Sequence, residues 1–150
     1  MDANRSKAPI PPGTSAPTAQ LIEFASRLTF DSLPPEVVAE SKRCILDYLG
    51  VAIGAAHMEA PLVTLQAVRE LGGAPQARLL AYGDRTSVTN AALVNGVLCH
   101  VLDFDDTHVL STLHASGPVL SAALPVAEWQ NAGGRDLIVA HIAGFEVATR

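Results

Sequence analysis

A chain of 150 residues, 49% hydrophobic and 17% charged, can bury one sizeable core and is too apolar for a disordered segment. A formal charge of −5 and a pI near 5.4 leave no basic surface for a phosphate backbone, which sets nucleic acid aside and leaves small molecules or protein as partners. Cys44 and Cys99 stand far apart with no CxxC or Cys/His spacing, so neither a zinc site nor a disulfide framework is expected, and a reducing, cytoplasmic setting fits.

Residues 1 to about 17, rich in Pro, Ser and Ala without apolar periodicity, predict a mobile tail before a domain over residues 18–150. A short helix from Thr18 carries Leu21, Ile22, Phe24, Ala25 and Leu28 at helical spacing and stops around Thr29. Pro34-Pro35 starts a long helix, because a first-turn proline has no amide hydrogen to leave unpaired. Val37, Ser41, Cys44, Ile45, Tyr48, Leu49 and Ala52 share one of its faces. Gly50 and Gly54 predict a second backbone packed close to it. A helix from about Ala60 to Leu71 ends at Gly72-Gly73, and Arg78 to Tyr82 reads as an extended piece too isolated to define a sheet.

Thr86 or Ser87 caps the next helix, whose apolar positions Ala91, Ala92, Val94, Val97, Leu98, Val101 and Leu102 predict a central, buried element. Ser116 caps a further helix to about Gln130 that Pro125 interrupts. The last helix runs from about Asp136 with Leu137, Ile138, His141, Ile142 and Phe145 inward. A period near 3.6 throughout predicts an all-α, compact helical bundle. No apolar run reaches the roughly 20 residues that span a bilayer, and the N-terminus lacks the apolar core of a secretory signal.

The stretch Asn95 to Pro118 concentrates three aspartates and three histidines in an otherwise apolar chain. If the buried helix continues through Asp106, then His100, Asp103 and Asp106 or Thr107 share a face about 5–6 Å apart, with Asp105 pointing elsewhere. A carboxylate beside an imidazole fixes its tautomer and raises its basicity, which assigns Asp103 an orienting role. His114 precedes Ser116-Gly117, where a helix N-terminus offers free amides to a substrate carboxylate. An imidazole beside a bound anion suits proton transfer at a carbon next to a carboxylate. The same residues allow two plainer readings: a polar helix end, or Mg²⁺ held by Asp103, Asp105 and Asp106. His57 reads as a loop residue, His141 as a hydrogen-bonded core or surface histidine, Cys99 as a small buried hydrophobe, and Asn95-Gly96 as tight helix packing.

The blocks KRCILDYLGVAIGAA, RTSVTNAALVNGVLCHVLDFDDTH, HASGPVLSAALPVAE and AGFEVATR together resemble the N-terminal helical domain of the MmgE/PrpD family, over about Leu21 to Arg150. The resemblance implies a homodimeric lyase or isomerase acting on small di- or tricarboxylates, such as 2-methylcitrate dehydratase or cis-aconitate decarboxylase, without metal or organic cofactor. It implies that Asp103, Thr107 and His114 line the active site, with His114 as general acid/base, Asp103 as orienting or relay carboxylate and Thr107 as a donor to substrate. Ala115 stands where family members often carry proline. The family's smaller C-terminal α+β lid domain lies beyond the resemblance, which leaves room for a complementing domain or for a truncated, non-catalytic dimerisation or interaction module.

Overall fold

A computed structural model describes residues 16–150 of the chain. Of the tail expected over residues 1–17, residues 1–15 lie outside the described residues, and Ala16 and Pro17 already belong to a helix. Among the described residues six helices follow in order: α1 (Ala16–Arg27), α2 (Pro35–Gly54), α3 (Glu59–Leu71), α4 (Val88–His100), α5 (Ser116–Gln130) and α6 (Gly134–Thr149). A 3₁₀ turn, Phe30–Ser32, links the first two. The all-α architecture is the one that the helical period predicts, with one addition. The strands β1 (Ala77–Arg78) and β2 (Arg85–Thr86) pair antiparallel as a small hairpin between α3 and α4. No single helix among the described residues is long and apolar enough to cross a membrane.

Helix α2 starts at Pro35, and Ser41, Tyr48, Val51 and Ala52 are its buried residues. Helix α3 ends where Gly72 and Gly73 both take positive φ, 69° and 141°, which side chains with a Cβ resist. Ser87, rather than Thr86, caps α4 by accepting from the Asn90 amide at 3.3 Å. Thr86 belongs to β2 and turns its hydroxyl to the Gly72 carbonyl.

Helix α4 lies at the centre, packed on α2, α3 and α5. Ala91, Val94 and Leu98 of α4 close one core with Ala52, Ala55, Leu65, Val68, Ala77 and Leu79. Cys99 closes a second with Tyr48 and Leu120. The burial of α4 is not complete, because Leu93 keeps much of its surface in solvent, and Leu102 lies beyond the end of the helix.

Two local expectations are corrected, for the α2 glycines and for Asn95. Gly50 would meet nothing if it carried a Cβ, and Gly54 meets only Leu102 at 3.8 Å, so neither marks a close backbone approach. Both lie on the exposed side of α2. The tight glycine is Gly144 on α6, whose Cβ would sit 2.6 Å from Val119 Cγ1 on α5. Helix α5 reaches Gln130 with Pro125 inside it and buried, the helix that the sequence predicts. Asn95 does more than pack: buried inside α4, it accepts from the Leu80 amide at 2.9 Å and donates to the Arg78 carbonyl at 3.1 Å, tying the hairpin to the central helix.

Candidate active site

Helix α4 stops at His100 instead of running on through Asp106. Asp103 takes φ of 51°, a left-handed conformation that aspartate tolerates better than most residues, and its amide closes a turn on the His100 carbonyl at 2.8 Å. The segment from there to Ala115 folds back on itself through a bridge in which the His108 amide bonds the Leu113 carbonyl at 2.9 Å. This loop, rather than one helix face, assembles the acid and base groups.

Ending the helix brings Asp105, rather than Asp103, against His100. Asp105, expected to point away, is 7% exposed and accepts from His100 Nδ1 at 3.1 and 3.2 Å through its two carboxylate oxygens. A carboxylate can only accept, so Nδ1 of His100 carries the proton. The backbone carbonyl of Asp105 accepts from His114 Nδ1 at 3.2 Å. One residue therefore orients two imidazoles, through its side chain and its main chain. The rings meet edge to face with centroids 5.4 Å apart.

Asp103, the carboxylate expected to steer an imidazole, is exposed and lies 3.7 Å from His114 Nε2. Thr107 Oγ1 lies 3.4 Å from His114 Nδ1. The Asp105 carbonyl above all raises the His114 pKa above its ordinary value; desolvation opposes it, and the Asp105 and Asp103 carboxylates add to the rise. His114, Asp103 and Thr107 thus share one neighbourhood, as the sequence spacing had no means of establishing.

Ser116 and Gly117 are engaged differently from the expectation. Ser116 is the first residue of α5 and does not cap it. Asp106 takes that place: its Oδ1 accepts from the Ser116 amide at 3.1 Å and its Oδ2 from the Ser116 hydroxyl at 2.6 Å. The anion at this helix N-terminus is therefore the protein's own carboxylate, in the position where a substrate carboxylate was expected. Gly117 leaves room for a second one, since a Cβ there would sit 3.0 Å from Asp105 Oδ2 and 3.2 Å from Cys99 Sγ.

Behind Asp106 lies a buried hydrogen-bonded chain, which makes His141 the core member of the two readings that the sequence allows. His141 on α6 is 2% exposed, with Nε2 2.9 Å from Ser116 Oγ and Nδ1 2.9 Å from Ser41 Oγ. The Ser116 proton is spent on Asp106, so the hydroxyl accepts from Nε2–H and Ser41 donates to Nδ1. Burial, partly opposed by Asp106, lowers the His141 pKa and keeps the ring neutral. The chain pins the loop to α2, α5 and α6 together.

The loop opens on a cleft of about 420 Å³ lined by Cys99, His100, Asp105, Leu113, His114 and Pro118 among others. One ligand atom from each of His100, Asp103, Asp105 and His114 lies within 4.8 Å of the others, a donor set of two nitrogens and two oxygens that fits a divalent cation. Both oxygens of Asp106, one of the three aspartates first considered for Mg²⁺, are committed to α5. No signal in the sequence singles out Asp105 and Asp106, because their roles depend on where α4 ends.

Among known proteins, the model of the MmgE/PrpD N-terminal domain matches residues 19–150. The chain is 29% identical over 141 residues to a cis-aconitate decarboxylase of Aspergillus terreus, covering 91% of this chain and 29% of that protein. It is 35% identical over 123 residues to the cis-aconitate decarboxylase of Homo sapiens, covering 79% of this chain and 25% of that protein. The mouse protein of the same name is 35% identical over 130 residues. The chain therefore spans less than a third of the length of the curated relatives it matches.

Proposed function

Because the chain belongs to the MmgE/PrpD family through its N-terminal domain, we propose that it forms part of a lyase acting on a small di- or tricarboxylate by imidazole acid–base chemistry. Decarboxylation of cis-aconitate, the reaction named for its relatives, is the first candidate. Dehydration of a 2-methylcitrate-like hydroxy acid is the alternative on the same groups.

The observation that carries this reading is the setting of His114. Its Nδ1–H is held by the Asp105 carbonyl, its Nε2 turns toward Asp103, and its pKa is raised, which favours the protonated ring that a general acid needs. In a decarboxylation the bond to the departing carboxylate breaks, its electron pair passes into the remaining conjugated carboxylate system, and a proton from His114 Nε2 completes the new C–H bond. Solvent returns the proton to the imidazole. Asp103 holds the charged ring, and Thr107 donates to a substrate oxygen. No electron acceptor enters this balance. The same reading includes a homodimer in a cytoplasmic setting, which native mass spectrometry tests for the first part.

The deciding experiment follows loss of cis-aconitate and release of CO₂ by the protein as expressed from its own locus. Asp103→Ala and His114→Gln are each expected to lower turnover by about 10²–10⁴-fold. Near-normal turnover in both variants would overturn the assignment. A chelator arm separates the metal reading, in which EDTA would abolish turnover and a divalent cation restore it.

A further inference from the structure

The proton donor of the proposed step, His114, ends a loop whose tip, Val109-Leu110, is exposed, while the base of that loop is tied to the interior by buried polar groups. We propose that Ser116 and His141 are positioning residues for His114: with Asp106 they clamp the loop so that the ring stays on the Asp105 carbonyl, and neither touches substrate. The inference rests on the reading of His114 as the proton donor and deepens it.

The clamp closes the loop at its two ends. Asp106 and Ser116 are 10 residues apart in sequence, and two hydrogen bonds join them, from the Ser116 amide to Oδ1 at 3.1 Å and from the Ser116 hydroxyl to Oδ2 at 2.6 Å. Each end carries half of the His114 contact. Asp105, which immediately precedes Asp106, offers the carbonyl, and His114, just before Ala115 and Ser116, brings Nδ1 to it at 3.2 Å. A shift of either end therefore moves the ring against the carbonyl that orients it.

His141 decides whether the second bond of the clamp forms. A hydroxyl has one proton, and that of Ser116 can go to Asp106 or to His141. His141 Nε2 lies 2.9 Å from Ser116 Oγ, and Nδ1 lies 2.9 Å from Ser41 Oγ. With Nε2–H donated to Ser116, the serine gives its own proton to Asp106, and Ser41 completes the ring by donating to Nδ1. Cys44 also faces Ser116, and burial raises its pKa so that it remains a thiol, an acceptor too weak to draw that proton from a carboxylate. Ser41, Ser116 and His141 are each 2% exposed. An apolar filling would avoid the desolvation that such a chain costs. What the polar chain supplies instead is a single geometry, and the geometry it fixes is that of His114 and its carbonyl. A displacement of about 1 Å is enough to cost a catalytic group about 10²-fold.

The test compares Ser116→Ala, His141→Asn, His141→Gln and His114→Gln in the protein as natively expressed, with cis-aconitate as substrate and the unreactive tricarballylate as binding probe. Rates are referred to the folded fraction measured by circular dichroism. Glutamine places an N–H near the position of Nε2, whereas asparagine reaches only that of Nδ1. The expected result is that kcat falls about tenfold or more in Ser116→Ala and His141→Asn and stays within about threefold of normal in His141→Gln, with KM and the tricarballylate Kd unchanged. In ¹⁵N spectra of the unaltered protein, His141 carries its proton on Nε2. Full kcat in Ser116→Ala, equal kcat in the two His141 variants, a proton on Nδ1 of His141, or a rise in the tricarballylate Kd of Ser116→Ala would each overturn the inference and, with His114→Gln inactive, leave the proposed function standing. Ser116→Ala, the loss of a single oxygen, keeps the test decisive if the His141 variants do not fold. Full activity in His114→Gln, or neither binding nor turnover in the unaltered protein, would overturn both.

Discussion

Two histidines of this molecule are shifted in opposite directions, and the signs separate them in solution. His114 has a folded-state pKa above the ordinary 6.5, chiefly because the Asp105 carbonyl accepts its Nδ1–H. The stability it contributes is fully present below pH 6.5 and is lost as pH rises through the folded value. His141 has a folded-state pKa below 6.5 because burial penalises its charged form. The unfolded chain then binds a proton that the native state refuses, so its share of stability is lost as pH falls from 6.5 toward the folded value. We expect an imidazole titration followed by NMR to place the His114 midpoint above 6.5 and to leave His141 neutral through that range. Thermal unfolding of His141→Gln should lose part of the decline seen below pH 6.5, whereas His114→Gln should keep it. An unchanged slope in His141→Gln would remove that ring as the source.

At the scale of elements, the bundle depends on contacts that join pieces distant in sequence. Asn95 supplies the hairpin with the two hydrogen bonds that a neighbouring strand would otherwise give, to the Leu80 amide and the Arg78 carbonyl. Asn95→Ala leaves both backbone groups without their partner at a half-buried site, at about 1–3 kcal/mol in all, and urea unfolding should report the loss as a lower midpoint. Loss below 0.5 kcal/mol would mean that water replaces the amide. Gly144→Ala should cost about 1–3 kcal/mol by driving a methyl into Val119, while Gly50→Ala, which meets nothing, should be neutral or stabilising. The same pair shows what the sequence could convey. Helical period, Pro35 and Gly72-Gly73 mark real helix starts and stops, because each acts through its own backbone. Which glycine faces a neighbour depends on how α5 and α6 cross, and Gly144 carries no local sign of that. The site was legible in composition and not in arrangement. A helical continuation past His100 put Asp103 beside it, whereas the turn at Asp103 brings Asp105 there instead.

At the scale of the whole molecule, the cleft has proton-handling groups and little enclosure. The side chain of Asp103 is 79% exposed and that of His114 33%, on a chain spanning less than a third of its relatives' length. Charge that develops in a decarboxylation is stabilised by fixed dipoles and cations only where water is kept out, because bulk solvent screens the same groups to a small fraction of their effect. Imidazoles oriented by Asp105 satisfy the first half of that requirement, and no described residue satisfies the second. The 150-residue chain made by itself should therefore bind tricarballylate weakly and turn over cis-aconitate at least about 10²-fold more slowly than the human relative assayed beside it. A comparable rate would mean that the loop between α4 and α5 already contains the catalytic machinery. A slow rate with measurable tricarballylate binding would mean that this domain orients substrate and proton, and that shielding from water comes from residues outside the described ones.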